Sequence, residues 1–96
     1  MEKTVKEQLY DEKFRDQLEK GMQFPGEYPF KFIVRTGTDA QRQIETAFQG
    51  TSARITITPS SKGNYNSLTI VMPVDSPQQI IDKYNQIARI PDVIKL

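Results

Sequence analysis

TPSSKGNYNSLTIVMPV, residues Thr58–Val74, decides the fold. A strand enters it and stops at Pro59. A polar loop turns on Gly63 and Asn64, and a second strand leaves through Leu68, Ile70, Met72 and Val74. Proline has no N–H to give a ladder, so Pro59 suits a strand end or a sheet edge. Serine and asparagine in such loops bond their own backbone, and glycine supplies the unusual dihedrals of a tight turn. The alternation in SLTIVMPV marks a strand buried on one face.

Working outward, the segment before the hairpin is Arg54–Thr58, with Ile55 and Ile57 on one side and Arg54, Thr56 and Thr58 on the other. Upstream, Ala40, Ile44, Ala47 and Phe48 recur at helical spacing. Thr38 is placed to cap that helix with Gln41 at its third position, and Gly50 closes it. Earlier still, YPFKFIVRTG alternates Phe30, Phe32 and Val34 with Lys31, Ile33 and Arg35, a strand ended by Gly37. Downstream, Ser76-Pro77-Gln78-Gln79 combines a cap, a proline at the first helical position and a capping-box partner. Ile80, Ile81, Tyr84, Ile87 and Ala88 form the stripe of that helix, Pro91 forbids its continuation, and a short strand covers Asp92–Leu96.

The order is β-α-β-β-α-β. Right-handed crossovers then give an α+β, ferredoxin-like split βαβ: a four-stranded antiparallel sheet with two helices on one face. The first and third strands, longest and most apolar, belong in the centre. Those carrying Ile57 and Val93 belong at the edges.

Residues 1–22 read as an N-terminal helical extension to a domain spanning 23–96. Thr4 and Glu7 offer a capping box, and Gly21 suits the position just past the helix. Tyr10, Phe14, Leu18 and Met22 line one side. Gln23–Pro29, with two prolines and a glycine, reads as an irregular connector.

Ninety-six residues allow one domain with one two-layer core. Thirteen basic against twelve acidic residues leave a net charge of +1, which gives no general attraction to nucleic acid or anionic membrane. The chain has neither cysteine nor histidine. It therefore lacks a thiolate nucleophile, the commonest general base and the commonest transition-metal ligand. No apolar run approaches the roughly 20 residues that span a bilayer, and the charged start is no signal peptide. A cytoplasmic protein without metal or cofactor is expected.

The run PSSKGNYNSLTI, the lead-in QFPGEYPFKFIVRTG and the closing YNQIARIPDVIKL are similar to the YbeD-like family of small bacterial proteins. The resemblance covers about Met22–Leu96. It implies a ferredoxin-like fold related in shape to the ACT regulatory domains that bind amino acids, and it carries no catalytic residue. The charged helix at the start is longer than the family's usual lead-in.

Three surfaces are candidates for binding. The polar loop Ser60, Ser61, Lys62, Gly63, Asn64, Tyr65 and Asn66 offers hydroxyls, an ammonium and flexible backbone for a carboxylate or phosphate. It lacks the GxxxxGK[ST] pattern, and its first reading is a structured hairpin connection, with binding second. The turn around Gly37 joins strand to helix and would let a small ligand approach closely, although any tight turn favours glycine. The open sheet face, with Lys31, Ile33, Arg35, Arg54, Thr56, Thr58, Ser67, Thr69 and Val71, carries no aromatic residue. That disfavours the base stacking of RNA-binding sheets and leaves Lys31, Arg35 and Arg54 as phosphate contacts. The face would also accept cover from Tyr10, Phe14 and Leu18. The acidic pairs Asp11–Glu12 and Asp16–Glu19 read as solvated helix surface. The expectation is a non-enzymatic regulatory or adaptor module for a protein partner or small-molecule effector, with an RNA-associated domain as the alternative. An exposed edge strand also allows a homodimer.

Overall fold

The computed structural model describes residues 12–95. In order come α1 (Glu12–Gly21), β1 (Gly26–Arg35), α2 (Ala40–Ala47), β2 (Arg54–Pro59), β3 (Tyr65–Val74), α3 (Pro77–Ile87) and β4 (Val93–Lys95). The strands form one antiparallel sheet in the order β2-β3-β1-β4. This is the expected ferredoxin-like arrangement, with β1 and β3 central. The capping box at Thr4 and Glu7, and the side chains of Val5, Leu9 and Tyr10, lie outside the described residues.

One face of the sheet makes the core. Phe30, Phe32 and Val34 of β1 and Leu68, Ile70, Met72 and Val74 of β3 all point into it, as the period of two requires. Ala40, Ile44 and Ala47 of α2 and Ile80, Ile81, Tyr84 and Ile87 of α3 close over them in one cluster. Phe30 and Phe32 are fully buried. Removing such a side chain from water contributes about 1.5–3 kcal/mol, so these rings fix which face the helices cover. Phe30 packs at 5.3 Å from Phe48 and 5.1 Å from Tyr84, and the Tyr84 hydroxyl meets that of Tyr28 at 3.0 Å. The polar tip of Tyr84 is thereby satisfied in a part-buried position.

α1 docks on the same side. Leu18 joins the core, Phe14 meets Tyr84 edge-on at 5.8 Å, and Arg15 donates to Gln78 of α3. Phe14 and Leu18 therefore do not cover the open sheet face. Gly21 is the last helical residue rather than a left-handed stop, and the Met22 N–H continues the helical pattern to the Leu18 carbonyl at 3.1 Å.

The expected connector is shorter than its prolines suggest. Gly26–Pro29 already belongs to β1, opposite Val74–Val71 of β3. β4 pairs with Phe32–Val34, so among the described residues β1 has one neighbour at Pro29 and a missing N–H is tolerated there. Pro73 lies inside β3 for the same reason, since β2 extends along it only as far as Val71. Gly26 is required by close approach, because a Cβ there would lie 2.6 Å from the Gln23 carbonyl oxygen. At α3, Ser76 stands at the N-cap with Pro77 following, and Gln79 reaches back to accept the Asp75 N–H at 2.7 Å. At the end of α2, Lys83 donates to the Ala47 carbonyl and lies 5.1 Å from the centre of the Phe48 ring. Partial burial there lowers the Lys83 pKa.

Candidate functional site

The Gly37 turn and the hairpin loop, far apart in sequence, meet at one corner of the sheet. The Ser60–Gly63 turn is closed by the Gly63 N–H donating to the Ser60 carbonyl at 3.0 Å, with Gly63 at φ 75°. The Ser60 hydroxyl accepts the Tyr65 N–H at 3.1 Å, and the Ser60 N–H donates to the Tyr65 carbonyl at 2.8 Å. β1 and β3 are paired as far as Arg35 and Tyr65, so the two loops leave the sheet side by side. Thr36 then joins them. Its N–H donates to the Asn64 carbonyl at 3.0 Å and its hydroxyl to the Gly63 carbonyl at 2.8 Å.

The α2 side of the corner is also tied down. Asn66 donates to Gln41 at 2.9 Å, which links β3 to the first turn of the helix. Gln41 was expected to serve a cap at Thr38. The helix begins at Ala40 with Asp39 before it; the Thr38 hydroxyl still accepts the Ala40 N–H at 3.4 Å and donates to the Arg35 carbonyl at 2.8 Å, while Gln41 bonds Asn66 instead. Gly37 holds φ 81°, a left-handed turn that a side chain would strain. Asp39 accepts from Arg42 at 2.7 and 2.5 Å, and that hydrogen bonding holds its carboxyl below the usual range.

Tyr65 lies outward with its ring exposed, and the Arg35 guanidinium carbon stands 5.9 Å from the ring centre. Arg35, Thr36, Asn64 and Tyr65 line an open cleft of about 330 Å³. The loop residues thus divide into two sets. Ser60, Gly63 and Asn64 hold the turn through hydrogen bonds of their own backbone and hydroxyl groups, whereas Ser61 and Lys62 are exposed with no side-chain partner among the described residues. The junction contacts of Thr36 and Gln41 leave no local signal in the sequence, because their partners lie 27 and 25 residues away.

The open face differs from expectation in one respect. Its rows are Thr58–Ser67–Ile33–Ile94 and Thr56–Thr69–Lys31, as alternation predicts. It also carries an aromatic ring, Tyr65, because β3 begins two residues earlier than the sequence pattern indicates. Arg54 forks onto Glu27, two bonds of 3.3 Å with both side chains exposed, and Lys31 stands between them and the corner. Among the described residues no three acidic side chains gather to hold a metal ion. No described helix is long and apolar enough to cross a membrane.

Sheet order, helices on one face and the crossover connections define a ferredoxin-like α+β domain. The solution structure of Protein HP0495 from H. pylori shares this fold, with a TM-score of 0.61 and 14% identity over 78% of this chain and 85% of that one. The chain belongs to the DUF493 family, described as protein of unknown function, whose model matches residues 19–96. The UPF0250 protein of Shewanella halifaxensis is 40% identical over 89 residues, covering 88% of this chain and 96% of that protein. The UPF0250 protein of Shewanella piezotolerans is 34% identical over 88 residues, with the same coverage. The resemblance to the YbeD-like family is borne out.

Proposed function

We propose that this chain is a non-enzymatic binding module that takes an anionic group of a protein partner or small effector at the corner of Gly37, Arg35 and Tyr65. The supporting observation is the Thr36 junction. Through it two loops of unrelated sequence hold each other, by the Thr36 N–H and the Thr36 hydroxyl, so the cleft between them is held by hydrogen bonds already made. A preformed site of that kind loses little ordering entropy on binding. Arg35 supplies a planar cation suited to carboxylate, and Tyr65 a rigid surface beside it. Lys62, exposed on the adjoining loop, adds positive charge to the approach.

The test is affinity capture with the full chain, comparing wild type with a Lys62→Ala, Tyr65→Ala double variant. Both side chains are exposed, so the variant should melt within about 2–4 °C of wild type while losing captured partners. Undiminished capture by a folded variant would overturn the reading. An early melt would assign the pair a structural role.

The second reading is phosphate contact through Lys31, Arg35 and Arg54, favoured by the Tyr65 ring beside Arg35. Glu27 already engages Arg54 and reduces its contribution. Binding to RNA would weaken steeply with salt, because neutralised phosphates release counterions. Absence of RNA affinity at low salt removes this reading.

A further inference from the structure

We infer that β2 is a self-pairing edge, through which two copies of this chain join their sheets antiparallel about a two-fold axis at Thr56. The proposal does not depend on the corner site.

The edges of the sheet are protected unequally. β4 is three residues long, and the part of β1 that it leaves uncovered contains Pro29. Short strands and prolines are the ordinary protection against edge-to-edge pairing. β2 is six residues long, and all but Ile55 are exposed. Its centre, Ile55-Thr56-Ile57, has no charge, proline or glycine. Ile57 pairs with the fully buried Leu68 yet is itself 40% exposed.

The hydrogen-bond phase of β2 is fixed by its end. The Ser60 N–H donates to the Tyr65 carbonyl, and antiparallel bonding alternates along a strand. Arg54, Thr56 and Thr58 therefore bond β3, while Ile55 and Ile57 turn their N–H and C=O groups outward. Pro59 falls on the outward phase, where its missing N–H costs the β3 ladder nothing.

That phase selects one register. With Thr56 opposite Thr56 of a second copy, Ile55 faces Ile57 at both ends of the pair. All four outward groups of these two residues are then used in each copy. Sequence symmetry supports it, since Ile-Thr-Ile reads the same in both directions. A shift of one pair toward Pro59 would set that residue opposite Ile55 and lose donors. A shift the other way would bring the two Arg54 side chains closer. In the chosen register Arg54 lies opposite Thr58, and the two copies' arginines are four positions apart along the strands, about 13 Å. That exceeds the ~8 Å screening length at physiological salt. Cross-strand Ile–Ile pairs bury the exposed rim, and an isologous contact of this type closes at two subunits.

Sedimentation of the full chain across a concentration series should show a mass rising toward twice 11.0 kDa. Ile57→Lys places a charge at both symmetric positions and should weaken the dimer about tenfold or more. Ile57→Thr, which keeps strand propensity, should shift it in the same direction if the lysine variant melts early. The chain has no cysteine, so a single Thr56→Cys reports directly on the axis. Residue 56 would form a non-hydrogen-bonded pair, whose close side chains suit a disulfide. Oxidation should crosslink Thr56→Cys and leave Thr69→Cys, one strand inward, as monomer. A chain that stays monomeric at millimolar concentration overturns the proposal, as does crosslinking at position 69 that matches or exceeds that at 56.

Discussion

The two faces of the sheet come from the same strands, residue by residue in alternation, and obey different rules. On the helix side Phe30, Phe32, Leu68 and Ile70 of β1 and β3 have no exposed surface, and Tyr28 packs part-buried against them. On the other side the same strands carry Lys31, Arg35, Ser67 and Thr69, and β2 adds Arg54, Thr56 and Thr58. One face is determined by packing, where a methylene is felt. The other is free of that constraint and is where binding residues can be placed at little cost in stability.

The largest expected effect lies on the packed face. Phe30→Ala should destabilise by about 3–5 kcal/mol, transfer plus cavity, and should unfold much of the protein near physiological temperature. Chemical denaturation measures it. A loss below about 1 kcal/mol would mean that the core collapses around the gap and that the contrast between faces is weak. On the open face, Lys31→Ala should change stability by no more than about 0.5 kcal/mol and Arg54→Ala by no more than about 1 kcal/mol. The Arg54–Glu27 pair is exposed, and such pairs are worth about 0–1 kcal/mol. A much larger loss in either variant would show that the open face takes part in folding. The smallest effect concerns Asp39 at the start of α2. Its carboxyl pKa is depressed by Arg42, so its contribution is present above the ordinary carboxylate pKa and is lost as pH falls through the lowered value. Acid titration of stability should therefore be slightly shallower in Asp39→Asn than in wild type. An unchanged titration would mean that the pair forms equally in the unfolded chain.

The core was legible because its signal is local. Phe30, Phe32 and Val34 alternate within one strand, and Ile80, Ile81, Tyr84 and Ile87 recur within one helix, so a window of a few residues reveals each buried face. Strand starts were harder to read. Pro29 looks like a connector residue, yet it is paired because β4 is too short to require its N–H. Tyr65 looks like part of a loop, yet it opens β3 because Arg35 lies opposite. In both cases a neighbouring strand decides, and no local pattern records its length.

The candidate corner divides in the same way. Gly37 and Gly63 stand out in the sequence as turn residues, and Lys62 and Tyr65 as exposed polar groups in a distinctive run. Nothing in the sequence joins the two loops. The Thr36 contacts to Gly63 and Asn64 exist because β1 and β3 are adjacent and in a particular register. By itself the sequence determined the element order, the helix-covered face and the absence of thiol and imidazole chemistry, since each follows from residue type and short-range period. Tertiary structure alone decided which loops meet, on which side α1 docks and which edge stays open, because those depend on pairings between residues that the chain brings together only when folded.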